Sequence, residues 1–191
     1  GHGTAIVAAI LDLAPDSVDL LFLSHAHWDH IGGMDSFLEL NRRATLAVHE
    51  GFSKHLIQDL RSTHGGELIV VGADPQELAP GIFSTGLIDG QHPEQAMLVE
   101  NAGVVAAISG CAHPGMAQIV ERASSFLGKR IDWAIGGFHL MDADSAAIDR
   151  SIRALQQLGV SYVVPTHCTG DEAKAAFRRA YGARCSDGGV G

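Results

Sequence analysis

Four times in this chain a short strand-like run breaks off and a histidine follows within a few residues. His25 follows Leu20-Leu21-Phe22-Leu23, His113 follows Val104 to Ser109, His139 follows Ile131 to Ile135, and His167 follows Val160 to Val164. The first run is apolar throughout, as a strand covered on both faces must be. Helical stripes alternate with these runs. Met116, Ile119, Val120, Ala123, Phe126 and Leu127 recur at helical spacing, with Pro114 ahead and Gly128 behind as start and stop signals. Ile148, Ile152, Leu155 and Leu158 form another stripe, capped by Asp144 or Ser145 and ended at Gly159. Such alternation builds an α/β fold. In sheets covered by helices, ligands gather beyond the C-terminal ends of the strands, so this pattern predicts one rim carrying all four histidines.

The rest of the chain fits the same plan. Strands are expected over 18–24, 45–48, 68–71, 82–85, 96–100 and 104–109, with Asn101-Ala102-Gly103 as a hairpin turn between the last two. Helices are expected over 33–40, 52–60 and 171–181. No linker or short repeat interrupts the 191 residues, which predicts one domain over 1–191. A hydrophobic content of 46% supports a sizeable core, and 18% charged residues argues against disorder.

Charge and cysteines narrow the function classes. The formal net charge of -9 disfavours nucleic acid and anionic membrane as partners. It leaves a small-molecule substrate, with a homo-oligomer as an open option. Cys111, Cys168 and Cys185 are too few for a disulfide framework and read as thiols of a reducing compartment. No apolar run is long enough to span a bilayer, and no leader pattern opens the chain. The expected location is cytoplasmic.

The chemistry is concentrated in Ser24-His25-Ala26-His27-Trp28-Asp29-His30-Ile31-Gly32-Gly33. Residues two apart on an extended segment project to the same side, so His25 and His27 can grip one cation together. Asp29 and His30 follow where the chain turns helical and can aim at a second. Gly32 and Gly33 would let the backbone pass close to the crowded site. Imidazole and carboxylate suit zinc, iron or manganese. His113 can complete a three-histidine set with His25 and His27. His167 can join Asp29 and His30. His139 is either a ligand or a group that touches substrate. Cys111 is a thiol behind the ligands or a packing residue, and Cys168 a buried thiol. His2, His49, His55, His64 and His92 read as surface or loop residues, and of these His92, near Glu94-Gln95, could reach a pocket.

These segments resemble the metallo-β-lactamase fold superfamily, whose signature is His-x-His-x-Asp-His. More narrowly they resemble the branch typified by 7,8-dihydropterin-6-methyl-4-(β-D-ribofuranosyl)aminobenzene 5'-phosphate synthase. The matching stretches are 24–33, Gly110-Cys111-Ala112-His113-Pro114-Gly115, Gly136-Gly137-Phe138-His139-Leu140 and Pro165-Thr166-His167-Cys168-Thr169-Gly170, with Leu78 to Ile82 and Glu94-Gln95-Ala96 in support. The resemblance implies an αββα sandwich with a dinuclear metal site. It assigns His25, His27 and His113 to one divalent ion, and Asp29, His30 and His167 to the other, with zinc as the first candidate. Asp29 and His139 become the catalytic candidates. The superfamily adds a bridging aspartate in the region that here is 136–140, which contains no acid; either His139 substitutes or the second site is weak, with Asp132 at the wrong end of its strand and Asp142 a weaker choice. Only 24 residues precede His25, so the sandwich is expected to lack its N-terminal strands.

The resemblance implies a metal-dependent hydrolase acting on an ester, lactone or phosphoester. The branch offers an alternative, a transferase that joins a pterin diphosphate to an aminobenzene ribofuranosyl phosphate and releases pyrophosphate. A di-iron redox protein and an inactive metal-binding module are the competing classes.

Overall fold

The structure, a computed structural model, describes residues 14–188. Its first strand, β1 (Leu20–Phe22), is the core of the apolar run that precedes the histidine cluster. The chain continues through a single helical turn, α1 (Trp28–Ile31), then α2 (Met34–Leu40), β2 (Thr45–His49), α3 (Lys54–Thr63) and β3 (Leu68–Val71). These strands form a three-stranded parallel sheet in sequence order. Parallel neighbours need crossovers, and the helices supply them. Ser53 caps α3 by accepting from the Leu56 amide at 3.1 Å. Met34, Ile57 and Leu60 from the helices close on Leu23, Leu46 and Val48 from the sheet side.

The second half begins with β4 (Gln76–Ala79), β5 (Ile82–Ser84), β6 (Met97–Asn101) and β7 (Val104–Ser109), each antiparallel to the next in this run. The turn between β6 and β7 has positive φ at both Ala102 (50°) and Gly103 (81°), the backbone of a tight hairpin whose twist matches the strands. After that the connections become helical: α4 (Met116–Leu127), β8 (Trp133–Gly137), α5 (Ser145–Gln157), β9 (Tyr162–Thr166) and α6 (Asp171–Tyr181). β7, β8 and β9 run parallel, so their C-terminal ends share one rim. The six-stranded sheet is ordered β4-β5-β6-β7-β8-β9. Its core joins Leu98, Ala107 and Ala134 to Ile119, Leu155 and Phe177 of α4, α5 and α6.

Helices therefore cover both sheets, in the order helix, sheet, sheet, helix. Gln95, fully buried, ties the halves together. Its backbone amide donates to Ser24 O and its side-chain amide to Leu23 O, both at 2.9 Å, while Oε1 accepts from Ser84 Oγ at 2.7 Å.

Several elements depart from the sequence expectation: β1 is shorter than 18–24, and α3 runs over 54–63 rather than 52–60. β4 has an exposed Glu77 and an irregular register, so its apolar signal is too weak to read. β8 and β9 each run two residues beyond the apolar runs at 131–135 and 160–164, into Gly136-Gly137 and Pro165-Thr166. Pro165 is tolerated because β9 ends the sheet order, where a missing amide donor matters least. The expectation of absent opening strands concerns residues 1–13, which with His2 lie outside the described residues. Among the described residues no helix is long and apolar enough to cross a membrane.

Candidate metal centre

His25 leaves β1 almost completely buried, at 1% exposure. Ser24 Oγ lies 3.0 Å from its Nδ1, which leaves Nε2 as the inward atom, 3.2 Å from His27 Nδ1. The extended backbone at His27 turns into α1 and sets Asp29 and His30 on that turn. Asp29 Oδ2 is 3.4 Å from His30 Nε2 and 3.3 Å from His167 Nε2. His30 Nε2 and His167 Nε2 are themselves 3.2 Å apart. Two nitrogens on one tetrahedral zinc, each at about 2.0–2.1 Å, stand roughly 3.3 Å from each other.

The other side of the rim is built by backbone rather than by a local motif. Glu94, fully buried, accepts four amides of the loop after β7. Its Oε1 takes Gly110 N (3.1 Å), Cys111 N (3.0 Å) and Ala112 N (3.1 Å), and its Oε2 takes His113 N (2.8 Å). This carboxylate fixes where Cys111 and His113 stand. Ala112, His139 and His167 hold φ of 57°, 52° and 45°, a left-handed backbone that costs a non-glycine residue roughly 1–3 kcal/mol. Thr169 Oγ1 steadies the last two loops by accepting from Phe138 N at 3.1 Å and donating to Thr166 O at 2.6 Å. Close approach demands glycine at Gly110, where a Cβ would stand 2.2 Å from Ser24 Oγ, and at Gly137, where it would stand 2.7 Å from Cys168 Sγ.

The rings converge. His25 lies 4.1 Å from His30 and 4.9 Å from His113 between centroids, and His27 lies 4.9 Å from His113. His92 and His139 flank His113 at 4.8 and 4.3 Å. Cys111 Sγ is 3.3 Å from His30 Nε2. Two groups have all their donor atoms within 4.8 Å of one another: His25, Cys111 and His113, and His30, Cys111 and His167.

The profile of a family described as "Metallo-beta-lactamase superfamily" matches residues 1–167. The chain belongs to this superfamily. It is 29% identical to a 7,8-dihydropterin-6-methyl-4-(beta-D-ribofuranosyl)-aminobenzene-5'-phosphate synthase of Methanocaldococcus jannaschii, over 88% of this chain and 72% of that protein. Among solved structures it resembles a metal-dependent hydrolase of the beta-lactamase superfamily (TM-score 0.71, 24% identity, 89% of this chain and 76% of that one). It also resembles the metallo-beta-lactamase fold protein YhfI from Bacillus subtilis (TM-score 0.65, 15% identity, 96% and 79%). The layered architecture is thus the αββα sandwich of the metallo-β-lactamase type.

The donor set of this metallo-β-lactamase fold suits cations. Burial pushes the His25 imidazole down to about 3, with His30, His113 and His27 adding to the effect. Burial likewise brings His113 down to about 4 and lowers His30. All three are neutral near pH 7, the form in which imidazole binds a metal. His113 Nε2 is buried with no hydrogen-bond partner, and such an orphan costs free energy unless something occupies its lone pair. The Cys111 thiol is held above the usual range by its hydrogen bond to Cys168 and by burial; a coordinating cation would remove that proton outright.

The six expected metal residues all reach the rim, though in a different pattern. Cys111, read as packing or background, has its sulfur among the donors. His27 stands beside His25, and Asp29 beside His30 and His167, but neither belongs to these two groups. His139 touches the His113 ring and belongs to neither group. Asp132 is at the far end of β8, bound to Val105 N and Arg130, and Asp142 is exposed on the turn beyond it. Gly32 serves its own helix turn, since a Cβ there would meet Trp28 O at 2.6 Å, and Gly110 and Gly137 stand where a Cβ would enter the site.

His92 is an exposed loop residue as expected and borders the site, whereas His49, expected at the surface or in a loop, is a buried strand residue. His92 Nδ1 lies 3.3 Å from His27 Nε2. His49 is buried at 1% exposure beneath the small sheet's rim, its Nδ1 accepting from Gly51 N at 3.1 Å. The sequence reading also missed Glu94. Its one sequence-level signal was its place in Glu94-Gln95-Ala96, a stretch noted for resemblance and given no role.

Proposed function

We propose that this chain is a metal-dependent hydrolase that holds two divalent ions, zinc first among the candidates and iron or manganese behind it, and acts on an ester, lactone or phosphoester. The observation that carries this reading is the convergence of imidazoles, those of His25, His30 and His113 held neutral, with His113 Nε2 buried and unpartnered among them. His25, His27 and His113 would hold one ion; Asp29, His30 and His167 the other. When bound, such ions supply Lewis-acid polarisation and a water activated near neutral pH.

The remaining work falls to side chains. Ser24 keeps His25 in the tautomer that turns Nε2 inward. Asp29, with its side chain 40% exposed, stands where it can orient an attacking water and take its proton. His139 and His92 border His113 and are suited to steady negative charge on the substrate. In a chain of net charge -9, an anionic substrate depends on this local cluster for attraction.

A second reading is favoured by the 29% identity to the methanogen synthase over most of the chain. In it the same centre serves a transferase that joins a pterin diphosphate to an aminobenzene ribofuranosyl phosphate and releases pyrophosphate.

One experiment tests both. The metal-loaded protein is offered a panel of phosphoesters, esters and lactones, and separately the pterin diphosphate with and without the aromatic acceptor. Turnover with water alone supports the hydrolase. Pyrophosphate release that requires the acceptor supports the synthase. A fully loaded protein that turns over none of them sinks both readings.

A further inference from the structure

We propose that Cys111 is a thiolate ligand shared by two cation positions, one formed with His25 and His113 and the other with His30 and His167. The inference rests on the metal-dependent reading above and assigns a residue that reading leaves unused.

The geometry starts from a single atom. Cys111 Sγ belongs to both donor groups, each with its atoms within 4.8 Å of one another. Its distance of 3.3 Å to His30 Nε2 resembles the separation of two donors on one ion. In two-metal sites the ions stand about 3.5–4 Å apart. A sulfur at about 2.3 Å from each ion would be able to reach both.

The loop is built to hold the sulfur there. Cys111 N is tied to Glu94 Oε1 at 3.0 Å, and Ala112 next to it takes the left-handed backbone. Gly137 clears the space behind, since a Cβ there would come within 3.0 Å of Cys111 Cα. A thiol that merely packed would face apolar neighbours. This one is 4% exposed and faces imidazole nitrogens.

Charge gives an independent reason. Two divalent cations carry four positive charges into the rim. The neutral imidazoles offset none of them, and Asp29 offsets one. Glu94 is buried and its carboxylate is committed to four amides. A thiolate between the ions supplies the missing anion where their mutual repulsion is greatest.

Cadmium-113 resonance of the loaded protein is the test, because sulfur ligation moves the signal strongly downfield whatever the activity. We expect two cadmium signals, both displaced downfield in the wild-type protein and in C168S, and both returned upfield in C111S. Circular dichroism checks that C111S keeps the fold; should it not, the wild-type and C168S spectra still decide. Two signals without sulfur displacement would overturn the shared thiolate and leave the metal reading intact. Displacement of one signal alone would make Cys111 a ligand to a single ion and would also overturn it. A wild-type protein that takes up no cadmium would end both the inference and the reading beneath it.

Discussion

The small parallel sheet delivers His25, His27, Asp29 and His30 from one stretch of six residues, whereas the large sheet delivers Cys111, His113, His139 and His167 from the ends of three separate strands. The local route needs little scaffolding: an extended segment, a helical turn, and Ser24 behind the first ring. The distributed route needs a frame. That frame is the parallel register of β7, β8 and β9, the Glu94 carboxylate under its loop, and three left-handed residues. The difference teaches that donors close in sequence are placed by local backbone geometry, and donors far apart are placed by buried polar anchors. Damage should therefore spread further from the anchors of the large half.

The largest expected effect comes from breaking the distributed side at its donor. His113→Ala should remove about one metal equivalent and abolish turnover. Metal affinity at that position should fall by more than the roughly 10–100-fold that follows loss of an outer partner. Elemental analysis beside a kinetic assay checks this; retention of both ions counts against the assignment.

Next come the cores. Leu46→Ala and Leu98→Ala each empty a fully buried position, one in each half, and each should cost about 2–5 kcal/mol. Because Gln95 bonds across the halves, urea unfolding should stay a single transition in both variants. A separate early transition in Leu46→Ala would mean that the small half unfolds alone.

The anchors sharpen the contrast. Glu94→Gln keeps the shape but loses the charge that gathers four amides, and should cost about 3 kcal/mol, against about 1 kcal/mol for Ser24→Ala. Equal costs in chemical denaturation would erase the distinction between framed and local donors.

A further effect is a pH dependence. Burial pushes His49 down to about 4 from an ordinary 6.5. As pH falls through 6.5 the unfolded chain takes a proton that the folded one refuses. The stability His49 contributes is therefore complete above pH 6.5 and drains away towards pH 4. By pH 5 the loss should be about 2 kcal/mol, read as the difference between wild type and His49→Asn in denaturation at pH 7 and pH 5. An identical slope in both proteins would contradict it.

The same contrast explains what the sequence made legible. His25 to His30 announce themselves because strand and turn geometry is local, and the helices 116–127 and 171–181 because their apolar stripes are regular. His113 and His167 could be found because each follows a strand. Glu94 could not, because its partners lie 16–19 residues further along and are backbone amides, which carry no sequence signal. Cys111 reads as a small buried hydrophobe until the fold brings His30 against its sulfur. The burial of His49 at the end of β2, and the approach of the exposed His92 to His27, depend on tertiary contact.

The central claim is that this rim is a cation site, and metal content tests it most directly. Protein purified without added metal, and again after equilibration with zinc, iron or manganese, is analysed for bound ions per chain. The account predicts about two divalent ions per chain, reduced by about one in His113→Ala. A folded chain that remains metal-free after equilibration with all three would contradict it.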